Sequence, residues 1–122
     1  MTRERGLVVL VEDDISMREA VERVLSATGF VVTSFDCAES ALEDRTTLDA
    51  CCVVLDVHLP GISGFEMYER LIAVGRKPAV IFITARDDVF TKDRATKLGA
   101  LGYLVKPFSG RALSEVVAGA FA

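Results

Sequence analysis

Five short apolar runs, at 7–11, 30–35, 50–55, 79–83 and 102–105, recur along the chain with amphipathic segments between them. Each run has the length of a strand and each intervening segment can hold a helix, which is the repeated strand–helix unit of a parallel sheet. The first, third and fourth runs are nearly continuous in Val, Leu and Ile, as strands covered by helices on both faces should be. They are the expected centre of the sheet. Ser16 with Glu19 and Ser63 with Glu66 have capping-box spacing, and Asp36 with Glu39 is a looser version. Helices are therefore expected over 16–28, 37–44, 64–74, 88–98 and 110–121. In the first, Met17, Ala20, Val21, Val24 and Leu25 form the inward stripe, leaving Arg18, Glu19, Glu22 and Arg23 for solvent.

At 122 residues the chain suits one domain with one core, and 51% hydrophobic with 26% charged residues is an ordinary globular balance. The expectation is a single domain over 1–122 with no output domain. A formal charge of −4 supplies no overall positive field to attract a phosphate backbone, which argues against direct nucleic-acid binding. The apolar runs fall far short of the ~20 residues needed to cross a bilayer. The start, Met1-Thr2-Arg3-Glu4-Arg5, is not followed by a secretory apolar region, so the expected location is the cytoplasm. Cys37, Cys51 and Cys52 lack metal-ligand spacing and read as reduced, packed thiols.

The chemistry gathers where the strands end: Glu12-Asp13-Asp14 after the first, Asp56 after the third, Thr84 after the fourth and Lys106 after the fifth. In an open parallel sheet these ends border one crevice, where ligands bind. Ser16 is expected to cap the first helix, which frees the acidic triplet from that task. Carboxylates crowded at a buried strand end repel one another and call for a cation. Oxygen ligands without clustered histidines favour magnesium, with Asp13 and Asp56 nearest the ion. Asp56 is not a helix cap, because Val57-His58-Leu59-Pro60-Gly61 intervenes and Pro60-Gly61 reads as a tight turn. Lys106 is held extended by Pro107 and faces the carboxylates, so it reads as their partner.

Four motifs now stand in order on these elements: Val-Glu-Asp-Asp at 11–14, Asp-Val-His-Leu-Pro-Gly-Ile-Ser-Gly at 56–64, Ile-Thr-Ala at 83–85 and Tyr-Leu-Val-Lys-Pro-Phe at 103–108. Together they resemble the response-regulator receiver domain of two-component signalling, in its chemotaxis-regulator-like form, over the whole chain. The resemblance implies a flavodoxin-like, doubly wound α/β fold of five strand–helix pairs, with parallel strand order 2-1-3-4-5. It also implies that Asp56 is the phosphoacceptor. Asp13 would ligate Mg2+ directly, Glu12 through water, and the His58 main-chain carbonyl would complete the protein ligands, with Asp14 left solvated.

By the same resemblance the donor is a sensor histidine kinase or histidine phosphotransfer protein, and Lys106 and Thr84 stabilise the transferred group. Ala85 is small where the donor must approach. Thr84 would move toward the phosphoryl group and Tyr103 would turn into the space behind it, biasing the surface of the fourth helix, fifth strand and fifth helix. A homodimer on phosphorylation is compatible with this picture. His58, the only histidine, reads as a loop residue beside the water path and not as an imidazole ligand. His58 and Arg86 would flank that path and slow hydrolysis. The chain would then be no enzyme beyond its own aspartyl phosphorylation and dephosphorylation. An aspartyl-phosphate-type phosphatase fits less well, since its nucleophile belongs after the first strand in an Asp-x-Asp pattern, and a flavin module would need a phosphate-holding loop where this one is acidic. An inactive receiver scaffold would not need complete motifs.

Overall fold

Alternation along the strands divides the core into two faces. Val9, Val11, Val53, Leu55, Val80 and Phe82 point one way, and Val8, Leu10, Cys52, Val54, Ile81 and Ile83 point the other. All twelve are buried, so the sheet must be covered on both sides. The computed structural model describes residues 6–121, with strands β1 (Leu7–Val11), β2 (Val31–Phe35), β3 (Cys52–Asp56), β4 (Ala79–Thr84) and β5 (Gly102–Val105). The expected absence of a secretory leader rests partly on residues 1–5, outside the described range. The strands form one parallel sheet in the order β2-β1-β3-β4-β5, which is the doubly wound, flavodoxin-like arrangement.

The helices are α1 (Ile15–Ala27), α2 (Ala38–Leu42), α3 (Arg45–Leu48), α4 (Gly64–Ala73), α5 (Val89–Lys97) and α6 (Gly110–Gly119). Val21 and Leu25 of α1 join Leu113 and Val117 of α6 over one face of the sheet. Ala38 and Ala41 of α2, the Phe65, Met67, Tyr68 and Leu71 stripe of α4, and Ala95 of α5 cover the other. None of the helices among the described residues is long and apolar enough to cross a membrane.

Three expectations about the helices are corrected, the first being the Asp36 cap: Cys37 is the N-cap of α2 and makes no side-chain cap bond. The segment expected as one helix over 37–44 is followed by a further short helix, α3, because Asp44 accepts a hydrogen bond from the Thr46 amide at 2.8 Å and starts a new turn. The first helix is capped by Asp14, not Ser16: Asp14 is extended and accepts from the Met17 amide at 3.0 Å, whereas Ser16 is already inside the helix. Ser63 does cap α4, accepting from the Glu66 amide at 3.1 Å. The inserted helix makes the fourth and fifth helices of the sequence reading α5 and α6.

The fold also accounts for the thiols. Cys52 is fully buried in β3, and burial, with a smaller push from Cys51, raises its pKa to about 12. All three cysteines are free.

Candidate functional site

Because connections from β1 and β3 leave toward opposite sides of the sheet, a crevice opens at the carboxyl ends of these neighbours. Glu12 follows β1 at this edge, and its amide donates to the Phe35 carbonyl at 3.1 Å, extending the ladder past the strand. Its side chain is fully buried. Oε2 accepts from the Asp14 amide at 3.0 Å, while the Glu12 carbonyl accepts from Arg18 Nη1 at 2.8 Å. Arg18 is therefore not simply solvated as its helical position suggests: it lies one turn into α1 and folds back onto the acidic loop. Glu22 also leaves solvent, taking a hydrogen bond from the Ser34 hydroxyl of β2.

Asp56 closes β3, where it is buried to 5% exposure. Its Oδ1 accepts from the His58 amide at 3.0 Å and its Oδ2 from Lys106 Nζ at 2.9 Å. The same ammonium lies 2.8 Å from Glu12 Oε1, bridging the two carboxylates. Lys106 is thus the close partner of both buried carboxylates. The Lys106–Pro107 peptide is cis.

Charge here is unbalanced. Carboxylate oxygens of Glu12, Asp13 and Asp56 come within 4.8 Å of one another, with Asp13 exposed at the mouth. Three carboxylates share one ammonium. Burial, the largest influence, pushes the Glu12 pKa up to about 7; Lys106 and the Asp14 amide pull against it, and the Asp56 charge adds to the rise. Burial would lower the Lys106 pKa, but contacts with Glu12 and Asp56 outweigh it and raise the value, so the lysine stays charged. Two buried carboxylates and a third at the mouth, all hard oxygen donors with one ammonium among them, fit a divalent cation.

Thr84 ends β4 fully buried. Its hydroxyl is occupied locally, accepting from the Arg86 amide at 2.9 Å and donating to the Arg86 carbonyl at 3.0 Å. Tyr103 of β5 is half-buried against the core, and its hydroxyl donates to Asp87 Oδ1 at 3.3 Å. His58 and Arg86 are both exposed. The fold thus joins Glu12, Asp13, Asp56 and Lys106 directly, while Thr84 and Tyr103 are linked to the loop before α5. Gly64 is a site residue that its motif alone does not explain. A Cβ there would collide with the Asp56 backbone carbonyl, so the first turn of α4 sits hard against the strand end.

Residues 8–118 match the response regulator receiver domain family. The chain belongs to that family. The receiver is 39% identical over 110 residues to the transcriptional regulatory protein FixJ of Azorhizobium caulinodans, covering 90% of this chain and 52% of that protein. Among solved structures it is similar to the response regulator StyR, at 39% identity and TM-score 0.86 over 95% of this chain and 59% of the other. It is also similar to the Vibrio cholerae chemotaxis protein CheY4, at 25% identity and TM-score 0.86 over 94% and 98% of the two chains. The receiver spans about half the length of the FixJ proteins it matches. Its family acts in two-component signal transduction.

Proposed function

We propose that the receiver accepts a phosphoryl group on Asp56 from the histidine of a sensor kinase or phosphotransfer protein. The observation that carries this reading is the Lys106 ammonium, 2.9 Å from Asp56 Oδ2 at a strand end that opens on a crevice. A carboxylate oxygen of Asp56 forms the new P–O bond as the P–N bond to the donor histidine breaks and its electron pair returns to the imidazole. Lys106 is already in place to stabilise charge on the transferred group, and small, exposed Ala85 leaves room for the donor. Glu12, Asp13, Asp56 and the His58 carbonyl would hold Mg2+, which when bound supplies positive charge for the phosphoryl oxygens.

The new oxygens then compete with the Arg86 backbone for the Thr84 hydroxyl. Once Thr84 leaves Arg86, the loop that also holds the Tyr103 hydroxyl can rearrange, altering the α5–β5–α6 face. That face would meet an output unit or effector, or a second copy in a phosphorylation-dependent homodimer. His58 and Arg86 flank the water path in this reading and slow hydrolysis. Cytoplasmic operation and an activity limited to the receiver's own phosphorylation cycle belong to the same proposal.

The test is incubation with acetyl phosphate and Mg2+ followed by intact mass spectrometry. One phosphoryl adduct is expected in the parent and none in Asp56→Asn; an adduct that persists in the variant places the acceptor elsewhere. After donor removal, the adduct should decay faster in His58→Ala and Arg86→Ala than in the parent. Equal decay in all three removes both side chains from control of the water.

A further inference from the structure

The loop from Val57 to Ser63 carries His58 and is held at both ends by backbone bonds: Val57 N donates to the Ile83 carbonyl at 2.9 Å, and Gly64 N to the Val57 carbonyl at 3.1 Å. Its middle is held differently. Glu39, on α2 and 23 residues earlier in sequence, accepts from the Ile62 amide through Oε2 at 3.1 Å. No other side chain from outside the loop hydrogen-bonds the backbone of residues 59–62 among the described residues.

Gly61 stands against the same carboxylate. It has φ +75°, the left-handed turn its Pro60-Gly61 sequence suggests, and a Cβ there would collide with the Glu39 carboxylate. The turn and the carboxylate therefore occupy a shared space. Cys37, the N-cap of α2, makes no side-chain cap bond, and the Glu39 carboxylate reaches across to the loop from this first turn. Its own amide and that of Ile62 hold the Glu39 pKa below the usual carboxylate range, because both hydrogen bonds favour the charged carboxylate.

We infer that Glu39 is a positioning residue for the phosphoacceptor site, tying the 57–63 loop so that the His58 main chain stays set against Asp56 and the acidic cluster. The inference rests on the reading of the His58 carbonyl as a metal ligand. His58 N already donates to Asp56 Oδ1, so one short segment links the Glu39 tie to the acceptor carboxylate. Releasing the tie leaves every proposed ligand present but lets the loop sample other conformations, so its cost falls on metal affinity.

Mg2+ titration by calorimetry of the parent, Glu39→Ala and Glu39→Gln separates the possibilities, with each protein's thermal unfolding recorded without metal. Glu39→Ala should bind Mg2+ about threefold to tenfold more weakly, the range expected for losing one hydrogen bond. Glu39→Gln keeps an acceptor oxygen of similar reach and should stay within about twofold of the parent. Equal Mg2+ affinity in the parent and Glu39→Ala overturns the inference, as does equal loss in both variants. A parent that binds no Mg2+ overturns the proposed metal site instead. Hydrogen exchange of the parent gives a readout independent of any variant: the Ile62 amide should be protected, and free exchange there shows that no tie exists.

Discussion

Glu12 is where burial and charge conflict most directly. A folded-state pKa near 7, against an ordinary value near 4.5, means that the folded protein holds a proton which the unfolded chain releases between those values. Folding stability from this group is therefore largest at low pH and declines as pH rises from about 4.5 to about 7. Without metal, the unfolding temperature should show this contribution as a fall from pH 5 to pH 8, and Glu12→Gln should flatten it. A divalent cation favours the ionised carboxylate, so Mg2+ should raise the unfolding temperature more at pH 8 than at pH 5 and release protons near pH 6.5. Calorimetric unfolding at matched ionic strength checks both signs. A parent profile as flat as that of Glu12→Gln would mean the buried carboxylate is ionised throughout.

At the scale of elements, Glu12, Asp56, Thr84 and Lys106 each sit where a strand stops, so small changes in element packing move chemistry. Gly64 makes this quantitative. In the interior of an exposed helix, Gly→Ala gains up to about 1 kcal/mol from helix propensity. Here the added Cβ meets the Asp56 carbonyl, a backbone atom at the end of a buried strand, which cannot yield as a flexible side chain would. Overpacking costs about 1–3 kcal/mol, so the clash outweighs the propensity. Gly64→Ala should lower stability in denaturant titration and slow acetyl phosphate labelling of Asp56, because the displaced atoms belong to the acceptor residue. A more stable variant with unchanged labelling would show that α4 can shift away without disturbing the strand.

For the whole molecule, the question is how a change at one strand end reaches a distant face. The Thr84 hydroxyl is bonded to Arg86, and the Tyr103 hydroxyl to neighbouring Asp87, so one loop restrains both proposed switch residues. At the start of α5, just beyond that loop, Val89 and Phe90 stand 80% and 87% exposed. A phosphoryl group that captures Thr84 would favour a different loop arrangement by the difference in its interactions with the two states. Thr84→Ala should still be labelled at Asp56 but fail to pass on the change. Hydrogen exchange over α5 and β5 should shift on phosphorylation of the parent and not of this variant. Equal shifts in both would take Thr84 out of the route.

The alternating and continuous apolar runs determined the parallel sheet, because burial of both faces leaves a periodic trace in the chain itself. The existence of the strands and their order along the chain, Ser63 as the cap of α4 and the residues gathered at the strand ends were likewise legible, since each depends on local spacing, whereas β3 was expected over 50–55 and runs Cys52–Asp56. The strand order followed from likeness to a family, and periodicity alone did not supply it. Tertiary structure decided what local rules could not rank. Asp14 displaced Ser16 as the cap because the helix begins at Ile15, two residues before a Ser16 cap would start it. Arg18 turned from solvent to the Glu12 carbonyl because the acidic loop folds within its reach. Glu39 found Ile62 across 23 residues, and Gly64 proved necessary because a strand end lies beneath it. Such contacts depend on where distant elements come to rest, and sequence spacing carries only the part of the physics that acts between neighbours along the chain.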